Sequence, residues 1–218
     1  MAKKAIEEGF KVIGLQRPLP EYRSEQIIFR LKELNIYNQI NFEVIDLMDV
    51  NKLVDLLKKY KPTHFAHLGS QSSVKKSNDF RELTRESNYL ISKNIIESLE
   101  KYSQDTIFFF PSSATIFEGY QDKTVDEKTK PLPMTNYAIS KYKTQQLIST
   151  KKELQLNTGI LFSHESEYRR PNFFSKKVTE FLSNYYLGKK GCLRVGDISI
   201  KRDIGYAQEY VEAIYKMM

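Results

Sequence analysis

The 218-residue sequence contains one cysteine, no tryptophan and three histidines. With Cys192 alone no disulfide framework can form, so a cytoplasmic setting is expected. His64 and His67 stand at i and i+3 in a strand-like run, where side chains alternate between faces, so they make a poor metal pair and no metal site is expected. No apolar run reaches the roughly 18 residues of a membrane span. Residues 1–9 form a charged helical pattern rather than a signal peptide, and no membrane partner is expected. Charge is also without concentration: the net +7 is spread along the chain. It favours anionic ligands, but the lysines lack interleaved aromatic stacking positions, which argues against a nucleic-acid partner.

What remains is an ordinary globular composition, 40% apolar and 28% charged, in a length suited to a single domain. Strand and helix patterns alternate. Residues 2–8 read as a helix closed by Gly9, followed by the apolar run Phe10, Val12, Ile13, Leu15. Phe42, Val44 and Ile45 give a second strand ending at Asp46-Leu47, Val50 to Tyr60 a helix, and Thr63 to Leu68 a third strand. A long helix runs from about Arg81 to Lys101, Thr106 to Phe110 reads as a strand buried on both faces, Asn136 to Leu154 as a helix and Thr158 to Phe162 as another buried strand. Beyond these come a helix over residues 172–187, a candidate short strand at Leu193–Val195 and a last helix from Gln208. Residues 18–25 and 118–136, rich in prolines and polar residues, read as loops. The alternation predicts an α/β fold with a doubly wound parallel sheet.

A tyrosine followed four residues later by a lysine on one helix face can do proton chemistry, because the ammonium favours the phenolate. Four such pairs occur: Tyr89/Lys93, Tyr137/Lys141, Tyr185/Lys189 and Tyr186/Lys190. Chance alone accounts for about 1.6, so context selects. Only Tyr137 follows a buried strand that ends in hydroxyls, Pro111-Ser112-Ser113, at the carboxyl edge where doubly wound sheets bind ligands.

These segments carry a family resemblance. Phe110-Pro111-Ser112-Ser113, Tyr137-Ala138-Ile139-Ser140-Lys141, Gly159 through Ser166, and Lys201-Arg202-Asp203-Ile204-Gly205-Tyr206-Ala207 resemble the extended short-chain dehydrogenase/reductase family, most closely its GDP-mannose 4,6-dehydratases. Gly9 to Gly14 resembles the family's second strand, and Leu68-Gly69-Ser70-Gln71-Ser72-Ser73-Val74 its loop beneath the nicotinamide. The resemblance implies that Tyr137 is the base toward a sugar 4-hydroxyl, that Lys141 holds the nicotinamide ribose and lowers the phenol pKa, and that Ser113 shares the proton. It implies NADP rather than NAD, because Arg17 stands where an NAD enzyme prefers an acid. Asp46, Leu47, Leu68, Gly69, Ser70, His164 and the paired Arg169 and Arg170 match cofactor-binding positions, the arginines between subunits; His164 receives no catalytic role. Ser163 and Arg202 match substrate-binding positions, Arg202 toward the nucleotide diphosphate. A nucleotide-sugar substrate and a homo-oligomer are implied as partners.

The departures shape the expectation equally. Residues 1–10 align with the helix that follows the family's glycine-rich turn, so residues 1–218 read as a single Rossmann-like domain lacking the first strand and that turn. Residues 163–218 then supply only part of a substrate lobe. A central strand left out would leave two neighbours unpaired, a cost of many kcal/mol against a net stability of about 5 to 15, which points to an upstream extension, a partner strand or an unstable product. Thr115 stands where the dehydratases carry the glutamate that removes the C5 proton, and Glu118 is the nearest carboxylate. Three functions are therefore expected in order: a dehydratase, a 4-keto reductase or epimerase, and a non-catalytic remnant.

Overall fold

The structure, a computed structural model, describes residues 1–18, 21–70, 79–120, 123–171 and 173–218; the side chains of residues 21–24 and 26 are outside that description. Gln71 to Val74, part of the expected nicotinamide loop, lies outside the described residues.

Helix α1 (Ala2–Glu7) turns at Gly9, whose φ of +84° suits a residue without a Cβ, and feeds strand β1 (Val12–Gln16). Helix α2 (Glu21–Glu33) leads to β2 (Ile40–Val44), which pairs in parallel with β1 from Val12↔Ile40 to Gln16↔Val44. Helix α3 (Val50–Tyr60) starts where the Asp49 carboxylate accepts the Lys52 amide. It ends at Lys61, and β3 (His64–Ala66) follows.

Helix α4 (Arg81–Arg85) runs through a π turn (Glu86–Leu90) into α5 (Ile91–Tyr102). Strand β4 (Ile107–Ser113) lies between β3 and β5 (Leu156–Leu161), parallel to both, and α6 (Asn136–Thr150) supplies the crossover. The carboxyl-terminal part contains β6 (Ser163–Glu165), α7 (Phe174–Tyr186), β7 (Ile204–Tyr206) and α8 (Ala207–Met217), with β6 and β7 parallel.

The doubly wound α/β expectation is met, with a split. The described strands form β1-β2, β3-β4-β5 and β6-β7, and β1 is not hydrogen-bonded to β3. Instead one apolar cluster joins the first two sheets: Ile45 beyond β2, Leu53 and Leu57 of α3, Phe65 of β3, Ile95, Ile96 and Leu99 of α5, and Phe108 and Phe110 of β4. Phe10 and His64 add an edge-on ring contact at 5.0 Å. Phe108, Phe109 and Phe110 are almost fully buried, as a continuous apolar run covered on both faces requires.

Three local expectations are corrected. Residues 21–25 are helical, not loop; the prolines that suggested a loop are compatible with a helix that begins just beyond them. Leu193–Val195 forms no strand, and the short pairing falls instead on Ser163–Glu165 and Ile204–Tyr206. The long helix before β4 carries a π turn that its apolar spacing does not reveal.

Candidate active site at the carboxyl edge of β4

The site begins with a proline in a central strand. Along β4 the Ile107 amide donates to Thr63 O and Phe109 O accepts from the His67 amide, so alternate residues face β3. Strand β3 ends at Ala66, opposite Phe109. Pro111, next in that alternation, therefore needs no ladder donor, and its carbonyl stands beyond the last β3 pairing. The Lys141 ammonium takes that carbonyl, with Nζ 2.7 Å from Pro111 O.

Helix α6 brings Lys141 there. Thr135 caps it by accepting the Ala138 amide through Oγ1 at 3.3 Å. The segment before the cap is held by Glu118, whose Oε1 accepts the amides of Met134, at 2.6 Å, and Thr135, while Oε2 accepts the Thr135 hydroxyl at 3.3 Å. Glu118 thus orders the first turn of α6, where Tyr137 stands.

Lys141 is 2% exposed. Its Nζ lies 4.7 Å from the centre of the Phe110 ring and 5.8 Å from that of Tyr137. Burial pushes its pKa down to about 7. His67 lies at the end of β3; burial first, and then the charge of Lys141, hold its imidazole neutral with a pKa of about 3. The Tyr137 phenol is hydrogen-bonded to Ser113. Its pKa is raised, because burial outweighs the help of Ser113. The expectation that Lys141 lowers it is thereby corrected: the ammonium points at Pro111 and is itself desolvated.

Ser113 N-caps a 3₁₀ turn (Ala114–Phe117), and its Oγ accepts from both the amide and the hydroxyl of Thr115 at 3.3 and 3.0 Å. Ser113, Tyr137 and Lys141 thus come together at the end of β4. The contributions of the Pro111 carbonyl, the Thr115 hydroxyl and the Glu118 carboxylate carry no signature in the sequence. Each depends on how β4, its turn and α6 meet.

The expected cofactor positions fall at strand ends. Arg17 follows β1 and is exposed. Asp46 follows β2 and holds a turn by accepting the Met48 amide at 2.9 Å, while Leu47 offers its carbonyl to Asn94. Leu68, Gly69 and Ser70 follow β3. His164, on β6, donates from Nδ1 to Phe162 O at 2.9 Å and packs on the Tyr210 ring. Ser163 opens β6 opposite Ile204, two residues after the exposed Arg202.

Arg169 Nε lies 3.0 Å from Glu165 Oε2, an ion-pair separation in which the N–H is not well aimed, and its guanidinium covers the Phe173 ring at 3.6 Å. Arg170 bears on Arg30 of α2, whose own pKa is lowered by burial and then by that like charge. A cleft of about 370 Å³ between Phe29, Arg30, Tyr168 and Arg169 is lined by none of Ser113, Tyr137 or Lys141. Among the described residues no group of three His, Cys, Asp or Glu side chains is placed to hold a metal ion. No described helix is long and apolar enough to cross a membrane.

The sequence of residues 1–218 matches the family model for GDP-mannose 4,6 dehydratase. The chain belongs to the GDP-mannose 4,6-dehydratase family. Its relatives in that family include the GDP-mannose 4,6 dehydratase of Cricetulus griseus, 28% identical over all of this chain and 60% of the relative. The chain thus spans about 60% of the length of the curated relatives it matches.

Solved structures share the fold. The UDP-glucose 4-epimerase of Thermotoga maritima, solved with UDP-glucose, superposes with a TM-score of 0.81 at 22% identity, over 99% of this chain and 67% of its own. RMD from Pseudomonas aeruginosa, solved with NADPH, gives a TM-score of 0.77 at 19% identity, over 95% and 73%. Membership of the dehydratase family and a Rossmann-type fold therefore stand together. The tyrosine, lysine and serine of this family member meet at the carboxyl end of a central parallel strand, where such folds carry ligands.

Proposed function

We propose that this chain serves the NADP-dependent oxidation of a nucleotide sugar at C4, with a GDP-hexose such as GDP-mannose as first candidate substrate. The observation that carries the reading is the Tyr137–Ser113 hydrogen bond at the end of β4, with Lys141 buried beneath it. The Tyr137 phenolate takes the proton of the sugar hydroxyl, becoming the neutral phenol, as C4 gives up hydride and becomes a carbonyl carbon. Ser113 steadies the phenolate before that transfer.

The residues present fit both ends of a dinucleotide. Arg17, always charged and able to fork onto phosphate, suits the adenosine 2′-phosphate end, and Ser70 and Lys141 suit the nicotinamide end. Its pyrophosphate has no candidate glycine-rich turn among the described residues. When bound, NADP supplies the hydride acceptor. Arg202 binds the nucleotide diphosphate of the sugar and Ser163 lines its pocket. Arg169 and Arg170 serve cofactor binding across a homo-oligomer.

A second reading, a 4-keto reductase or epimerase, is favoured by the turn after β4. Elimination across C5 and C6 needs a base at C5. The Thr115 hydroxyl is a poor base, and the Glu118 carboxylate already accepts three hydrogen bonds from the α6 cap.

The test is to incubate the protein with GDP-mannose and NADP, following NADPH absorbance and sugar products together. A 4-keto-6-deoxy product supports the dehydratase reading. Hydride transfer without loss of water supports the second. Absence of both, with no cofactor binding by fluorescence, leaves a non-catalytic member of the family.

A further inference from the structure

We propose that Thr115 is a positioning residue, whose hydroxyl fixes the direction of the Ser113 O–H bond so that Ser113 donates to Tyr137. The catalytic meaning of this role rests on the C4-oxidation reading; the hydrogen-bond direction does not.

The argument is a count of lone pairs. A serine hydroxyl has one proton and two acceptor positions. At Ser113 both acceptor positions face Thr115: the backbone amide of Thr115 lies 3.3 Å from Oγ and its hydroxyl donates to the same atom at 3.0 Å. What Ser113 has left is its proton, and the partner left for it is the phenol oxygen of Tyr137. The three hydroxyls therefore form a one-way chain, Thr115 to Ser113 to Tyr137. Ala114 between them offers no competing hydroxyl, and the extended backbone of Ser113, φ −145° and ψ 143°, aims its side chain at the turn.

Direction matters because the two ends of a hydroxyl contact have opposite effects. A phenol oxygen that receives a hydrogen bond gives up its own proton more readily, since the donor stabilises the anion more than the neutral form. If Ser113 were the acceptor, the phenol proton would be held in place instead. The other polar neighbours do not set this direction: the Lys141 ammonium is engaged by Pro111 O, and His67 beside it stays neutral. Thr115 thereby gains a role in the proton step without touching the sugar.

The experiment uses Thr115→Val, which keeps the branched shape and the backbone amide but removes the hydroxyl, and Thr115→Ser, which keeps the hydroxyl. The titration of Tyr137 is followed by NMR on ring-¹³C-tyrosine protein, its signal assigned by loss in Tyr137→Phe. Thr115→Val should raise the Tyr137 midpoint by roughly 0.5 to 1 pH unit and Thr115→Ser should restore it. In a single turnover of hydride transfer from GDP-mannose to NADP, the rate constant at pH 7 should fall about 3- to 10-fold with the half-saturating GDP-mannose concentration unchanged, moving the pH profile in the alkaline direction. In a Ser113→Ala background, Thr115→Val should no longer move the midpoint, which separates positioning from a general effect on folding. Equal midpoints in the wild type and Thr115→Val, or an undiminished shift without Ser113, overturn the proposal. A shifted midpoint in a protein that reduces no cofactor keeps the hydroxyl chain and discards the C4-oxidation reading.

Discussion

Lys141 Nζ donates to the carbonyl of Pro111 at 2.7 Å, so the charge on α6 is tied to the strand on which the proposed chemistry sits. Burial outweighs that single bond and brings the ammonium pKa to about 7.

Stability should therefore depend on pH in a specific direction. Between about pH 7 and the ordinary lysine range the unfolded chain binds a proton at residue 141 that the folded chain has released. Stability rises with pH across that window, by an amount of the order of several kcal/mol. His67 adds the same sign at lower pH, since the unfolded imidazole is protonated below its usual value of 6.5 while the folded one stays neutral down to about 3. Urea unfolding from pH 5 to pH 9 should show a rising midpoint, and Lys141→Met should flatten its upper part. A flat wild-type profile would contradict the burial of both groups.

Removing the phenol oxygen should separate chemistry from folding. Tyr137→Phe leaves the ring in its half-buried place and should lower hydride transfer by a factor of about 10² to 10⁴ with little change in melting temperature. Ser113→Ala should cost about tenfold or more. Stopped-flow NADPH absorbance with GDP-mannose measures both.

Glu118 should behave as a structural group. Glu118→Ala leaves the Met134 and Thr135 amides without their acceptor and should destabilise the protein by about 1 to 3 kcal/mol. Any activity should fall in proportion to the loss of folded protein. A variant of full stability that selectively loses dehydration would instead make Glu118 the C5 base.

Arg17 decides cofactor choice in the proposed reading. Arg17→Ala should weaken NADPH binding about tenfold or more and leave NADH binding nearly unchanged. Fluorescence titration of the two cofactors reads the ratio directly.

The turn after β4 is sterically closed as well. A Cβ at Gly119 would stand 2.5 Å from the Leu132 side chain and 3.0 Å from its carbonyl oxygen. Gly119→Ala should cost about 1 to 3 kcal/mol and shift the loop that reaches α6, seen as a lower melting temperature.

How much of this was legible depended on whether a feature was local. The apolar run at residues 106–110 and the alternation around it announced the parallel sheet, and the hydroxyls that end β4 singled out Tyr137 from three other tyrosine–lysine pairs. Helix α2 was hidden by prolines just ahead of its start, and β6 and β7 are three residues each, too short for a periodicity to show. The depressed pKa of Lys141 needs the Phe110 ring above it and the early end of β3 beside it, and the grip of Glu118 spans 16 residues to Met134. Such effects arise only when separate segments meet.

The split between β1 and β3 has a consequence for behaviour in concentrated solution. Among the described strands all but β4, which lies between β3 and β5, offer an edge that no other described strand covers. Backbone amides and carbonyls so presented act as a template for a foreign strand, and two molecules of this protein carry matching templates. Light scattering should grow steeply with protein concentration, and a chaperone that shields extended segments should suppress it.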